Sequence, residues 1–132
     1  MPDEKPKNAG ETEALALAQK AIEAGAAGRH EDAVLHWRAA SAYADAHLPG
    51  ADIGHWIKSG LGAALYDIGA YEESIVVSKH TLDWCSALKQ PLPALTMAKS
   101  YRRLGDHAAA QVNLEWARGL VGDSILKDWD AD

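Results

Sequence analysis

Six histidines and a single cysteine are the side chains of this sequence best suited to chemistry. Asp52 and His55 are three apart, a spacing that can share one helix face, and His47 lies nearby. A zinc site would need three or four such ligands in fixed geometry. The set stops short of that, and Asp52 is read more simply as a helix N-cap. His30 and His107 each stand two residues after a glycine, where a third segment has Tyr71, so packing at a turn accounts for them. His36, His47 and His80 fall on expected helices, on solvated faces. Cys85 would be a nucleophile only beside an activating base. Next to Trp84 in an apolar helix it reads as a small buried hydrophobe. There is no Gly-rich loop leading into Lys-Ser/Thr, no HExxH and no nucleophile elbow. The expectation is a protein that is not an enzyme, with no metal and no cofactor.

The elements that carry these residues are helical. Alanine is abundant, Phe is absent, and five Trp and four Tyr supply the large side chains. Alanine loses no side-chain entropy in a helix and lets helices approach closely. The 132 residues suit one domain, long enough to bury a core without disulfides. With 19 acids against 13 bases the net charge is −6, which argues against a general nucleic-acid binder. A single cysteine allows no internal disulfide and fits a reducing compartment. The polar start "MPDEKPKNAGETE" has no apolar run, and no stretch of about 20 apolar residues follows. A cytoplasmic protein with no membrane contact is expected.

Three segments repeat one another: "AIEAGAAGRHEDAVLHWRAA", "GAALYDIGAYEESIVVSKHT" and "AKSYRRLGDHAAAQVNLEWA". Each is a helical run, a glycine, and a second helical run. Gly28 and Gly69 are 41 residues apart, and Gly69 and Gly105 are 36 apart. Seven residues before the glycines stand Ala21, Gly62 and Ala98; five after, Ala33, Ser74 and Ala110; twelve after, Ala40, Thr81 and Ala117. All nine are small, as antiparallel helix pairs need where their backbones come closest. The glycines end the first helices, where a left-handed residue is wanted. Glu31 and Asp32, then Glu72 and Glu73, open the second helices, where negative charge is favoured.

This arrangement resembles the tetratricopeptide repeat, a helix–turn–helix unit of about 34 residues. The middle unit fits best, through Leu61, Gly62, Leu65, Gly69, Tyr71, Ser74 and Thr81. Leu17, Ala21, Ala24, Gly28, Ala33, Trp37 and Ala40 fill the same places in the first unit. Met97, Ala98, Tyr101, Gly105, Ala110, Leu114 and Ala117 fill them in the third. The early Trp and closing Pro of the consensus are missing or displaced, so the three repeats are degenerate. The resemblance implies an all-α fold, a right-handed superhelical stack of three helix–turn–helix repeats. Six helices are expected at about 11–26, 31–47, 53–68, 72–89, 92–104 and 107–121. Residues 1–10 are read as a flexible tail, 11–122 as the repeat domain, and 123–132 as a short C-terminal cap or tail.

The same resemblance implies a concave groove built from the first helix of each pair, used to hold a partner. Its positions fall here on Leu15, Ala18 and Ile22; on Trp56, Ser59, Ala63, Tyr66 and Asp67; and on Leu92, Leu95, Lys99, Arg102 and Arg103. The surface would run from apolar through aromatic to basic. Ala18 and Ile22 stand where the carboxylate-clamp branch of the family needs Lys and Asn, so binding of chaperone C-termini is not expected. The reading is a groove for a partner segment with apolar anchors and an acid that meets Lys99, Arg102 and Arg103. The simpler account of those three is a solvated helix face, and of Trp56 and Tyr66 helix–helix packing. Charge reversal at Arg102 and Arg103 is therefore expected to leave stability nearly unchanged. The ending "KDWDAD" reads either as a motif for another protein or as a tail whose Trp129 packs back on the last helix pair.

Function is thus expected to be protein–protein interaction, as a chaperone or adaptor. Small acidic three-repeat proteins of this type resemble the chaperones of type III secretion translocators, and a toxin immunity protein fits equally. The partner would be another protein or peptide segment. The rivals are a self-assembling scaffold subunit, acting as a homo-oligomer, and an enzyme with an unrecognised site.

Overall fold

A computed structural model describes residues 5–131 of the chain. Seven α-helices succeed one another among the described residues: α1 Lys5–Ala26, α2 His30–His47, α3 Asp52–Asp67, α4 Tyr71–Ala87, α5 Leu92–Arg103, α6 His107–Val121 and the short α7 Ile125–Asp130. Among the described residues there is no strand, and no helix is long and apolar enough to cross a membrane. The six expected helices are present with ends shifted by one or two residues, except that α1 begins at Lys5. Residues 5–10, read as tail, belong to that helix; residues 1–4 lie outside the described part.

The turns explain why the helices stop where they do. Gly28, Gly69 and Gly105 have φ of 81°, 84° and 85°. At each, the glycine N–H bonds the carbonyl three residues back and the next N–H bonds the carbonyl five back from itself. In the middle turn these are Gly69 N–H to Tyr66 O at 2.9 Å and Ala70 N–H to Leu65 O at 2.9 Å. This is the Schellman closure, which satisfies orphan carbonyls and requires a left-handed residue. A fourth copy ends α4, where Lys89 takes the glycine's place at φ 61° and Gln90 N–H bonds Cys85 O at 2.8 Å. Only the third of the glycine turns leads into a side-chain cap: Asp106 accepts from Ala109 N–H at 3.1 Å at the start of α6.

Each helix packs on its successor through α6, and the odd-numbered helices also touch, α1 with α3 and α3 with α5. All nine small residues of the repeat are buried. The largest core cluster joins Ala14, Ala18, Ala21 and Ala24 of α1 to Val34 and Trp37 of α2 and Ile57, Leu61 and Leu65 of α3. Trp37 fits because residue 60 is glycine: a Cβ there would stand 2.5 Å from the indole. A second cluster, with Leu95, Ala98, Leu114 and Ala117, is closed by Ile125 of α7. The C-terminal segment thus packs against α6 and the second cluster.

Between the two clusters the middle unit packs through hydroxyls rather than methyls. Ser74 Oγ donates to the Gly62 carbonyl at 2.7 Å, Ser100 Oγ to Ser74 Oγ at 3.2 Å, and Thr81 Oγ1 to the His55 carbonyl at 2.9 Å. Serine and threonine replace alanine here without leaving those oxygens unpaired, which is what makes their burial tolerable.

Candidate interaction surface

The first helices carry the residues expected to form a groove, and the structure gathers some of them in two places. The first is an open, shallow cavity of about 270 Å³ lined by Leu15, Asp52, Ile53, Trp56 and Trp84. Leu15 comes from the middle of α1, and Asp52, Ile53 and Trp56 from the start of α3. Trp84 reaches over from the end of α4. Both indoles are fixed by neighbours. Trp56 meets Trp37 edge-on, 5.8 Å between ring centres at 73°, and rests on the main core. Trp84 stacks on His55 at 5.2 Å and 12°, and its Nε1–H donates to Asp52 Oδ1 at 3.1 Å. Asp52 is therefore not the N-cap that the sequence suggested. Ala51 holds that place without a side-chain bond, and Asp52 is the first helical residue.

The second place surrounds Tyr66. Arg103 Nε donates to Tyr66 Oη at 3.3 Å, and Lys99 Nζ and Arg103 Cζ lie 5.8 and 5.9 Å from the ring centre. The Tyr71 ring lies 5.5 Å from it, centre to centre, tilted by 52°. Beyond it the Arg102 guanidinium stacks on Trp129 at 3.6 Å. Burial pushes the Lys99 ammonium below its ordinary value, with Arg102 adding to this while Asp128 and Asp67 oppose it. Burial likewise lowers Arg102, helped by Arg103 and opposed by Asp130. Asp67 is raised, mainly by burial, against the pull of His30 and Lys99.

These contacts describe what surrounds the expected basic patch. Lys99, Arg102 and Arg103 stand together, with Asp128 and Asp67 raising Lys99, Asp130 raising Arg102, and the rings of Tyr66 and Trp129 against their side chains. The aromatic–acidic ending and the basic helix face, read separately in the sequence, are partners of each other.

Three further expectations are corrected by burial, and the first is Ala18, fully buried in the main core. Ser59 is buried, its Oγ donating to the Trp56 carbonyl at 2.7 Å, and Leu95 is part of the second core cluster. Neither has surface to offer a partner. Leu15, Ile22 and Leu92 are exposed apolar residues, Leu15 at 50%, though Ile22 and Leu92 do not line the cavity. Trp84 and Ile53, which do line it, were not singled out by the sequence. Nothing in local spacing ties a Trp at the end of α4 to the start of α3.

At the turns polar groups pair among themselves. A larger hollow of about 450 Å³ at the turns is walled by Arg29, His30, Asp32 and Asp67, where Arg29 faces Asp32 at 3.6 Å and His30 faces Asp67 at 3.8 Å. Among the described residues no group of three His, Cys, Asp or Glu is placed to hold a metal ion. Cys85 is buried, with Thr81 Oγ1 3.5 Å from its sulfur. On the outer helices Leu35, Val76 and Val112 are each more than half exposed. They occupy one register, seven residues after Gly28, Gly69 and Gly105, a signal the sequence alignment of the three units already contained.

Compared with family models, with curated proteins and with solved structures, the chain matches none.

Proposed function

We propose that this chain is a non-enzymatic protein–protein interaction module, a tetratricopeptide-like stack of three helix–turn–helix units that holds a partner segment against its first helices. The observation that carries the reading is the cavity of Leu15, Ile53, Trp56 and Trp84. It presents apolar and aromatic surface to solvent, in side chains already held by Trp37, His55 and Asp52. Aromatic anchors of this kind dominate interface energetics, and surface that is pre-organised loses little entropy on binding. The fold part of the proposal rests on the three identical glycine turns and the nine buried small residues. A chaperone or adaptor role, such as a secretion-type chaperone or an immunity protein, fits a small acidic module with one such surface. A cytoplasmic setting fits its single buried thiol.

The test is affinity capture with the full chain as bait, then binding of the captured partner to Leu15→Ser. Leu15 is exposed, so the fold should be unaffected. A loss of binding of about tenfold or more supports the groove; unchanged binding removes it.

The repeated exposure of Leu35, Val76 and Val112 favours a second reading, a self-assembling subunit that pairs through its outer helices. Sedimentation over a wide concentration range separates the two: a monomer throughout excludes self-assembly.

A further inference from the structure

The cavity at the start of α3 has a feature that a purely apolar anchor site would lack. Its two indoles share the space with one carboxylate, Asp52, and among the described residues no basic one lines it. Glu11 stands one turn before Leu15 on α1, in the i, i+4 register that shares a face, so the nearest charge on that helix face is also negative. Asp52 is exposed and has given one acceptor site to Trp84 Nε1–H. An ionised carboxylate has about four acceptor sites, so most remain for a ligand. The N-terminus of α3 contributes roughly half a positive unit charge nearby, which reduces the carboxylate's full negative charge without cancelling it.

We propose that this cavity receives the guanidinium of an arginine carried by the partner segment. Aromatic faces attract cations, with tryptophan the strongest, and a planar guanidinium both stacks on an indole and bonds a carboxylate through two N–H groups. The volume argues for one side chain of a protein segment rather than a whole small ligand. At about 270 Å³, open on one side, the cavity falls below the roughly 300–1,000 Å³ that encloses a drug-sized molecule. Its walls are set in advance: Trp84 is fixed by His55 on one ring face and by Asp52 at its nitrogen, and Trp56 by the edge contact with Trp37. A ligand would find the two aromatic walls and the acid already in position.

This inference rests on the groove reading above, and the experiment separates the two. A random dodecapeptide library displayed on phage is panned against the full-length chain. The best peptide is synthesised with each arginine in turn replaced by citrulline, its neutral isostere. Each form is titrated against the wild type, Asp52→Asn and Leu15→Ser, with folding checked by circular dichroism. Asp52→Asn keeps an oxygen for the Trp84 N–H and removes only the charge. The expected result is an enriched arginine whose citrulline form binds the wild type about fivefold or more weakly. Against Asp52→Asn the gap between the two forms should narrow, because the bond to the carboxylate is lost while the contact with the rings remains. A merely structural role for Asp52 would weaken both forms equally, and that overturns the proposal. Peptides that need Leu15 but show no arginine dependence leave the groove standing and also overturn the proposal. No enrichment, or binding indifferent to Leu15→Ser, ends both.

Discussion

The guanidinium of Arg102 lies 3.6 Å from the centre of the Trp129 ring, and its Nη2 donates to the Trp129 carbonyl at 3.3 Å. One arginine thus fastens α7 to α5, while Ile125 closes the core beneath. Arg102→Glu should lower stability by about 1–2 kcal/mol, through the lost stack, the lost hydrogen bond and repulsion with Asp130. This replaces the expectation from the sequence that reversal there is nearly neutral. Urea denaturation of Arg102→Glu, Trp129→Ala and the double variant checks it. The double should fall short of the summed singles, because both remove one contact. Simple additivity would mean the stack contributes nothing.

The left-handed turn positions offer a matched pair of changes with opposite sign. At Gly69, φ is 84° and an added Cβ would meet nothing within 4 Å. Gly69→Ala should therefore cost about 1 kcal/mol from backbone conformation alone. Lys89 already carries that strain at φ 61°, so Lys89→Gly should raise stability by about 0.5–1 kcal/mol. Shifts of the urea midpoint at constant m-value measure both.

Ser78 Oγ stands where a Cβ on Gly62 would be, and it is a buried hydroxyl without a hydrogen-bond partner among the described residues. Ser78→Ala should be neutral or stabilise by about 1 kcal/mol, since it removes an uncompensated polar group. Gly62→Ala alone should cost about 1–3 kcal/mol by overpacking. In the Ser78→Ala background most of that cost should vanish, because the remaining Ser78 atoms lie at an ordinary 3.5 Å. Thermal melts of the four proteins make the cycle.

Arg38 of α2 grips Glu73 of α4 with two bonds, Nη1 to Oε2 at 2.6 Å and Nη2 to Oε1 at 2.9 Å. The hydrogen bond from Arg38 holds the Glu73 carboxyl below its ordinary range, against a smaller opposing effect of burial. A carboxyl lowered in the folded state stabilises above its unfolded value, and that contribution disappears as pH falls through the lowered one. Glu73→Gln should thus lose a small increment at neutral pH and none at the acid end. The increment stays small because both side chains are nearly half exposed. Denaturation at pH 7 and pH 3 compares them.

How much of this was legible beforehand can be seen residue by residue. The glycine turns and the nine buried small residues could be read because the chain states them three times, and steric need at a turn or a close helix crossing is local. Groove membership was read less well. A first-helix position tells which way a residue points only to within the helix's rotation, and Ser59 and Leu95 fall on the buried side of that margin. The outer stripe of Leu35, Val76 and Val112 was within reach of the same superposition. Trp84 was not, since its place depends on how far α4 overhangs α3.

By itself, then, the sequence determined the helices and their stops, because propensity, glycine conformation and small-residue spacing act over one or two turns. Tertiary structure alone decided what surrounds each charge and each ring. It set Asp52 against Trp84, 32 residues away, and it turned the acidic C-terminal helix onto the chain's own basic face. Those pairings are fixed by the relative placement of whole helices, which sums many weak contacts between them and is written in no single stretch of residues.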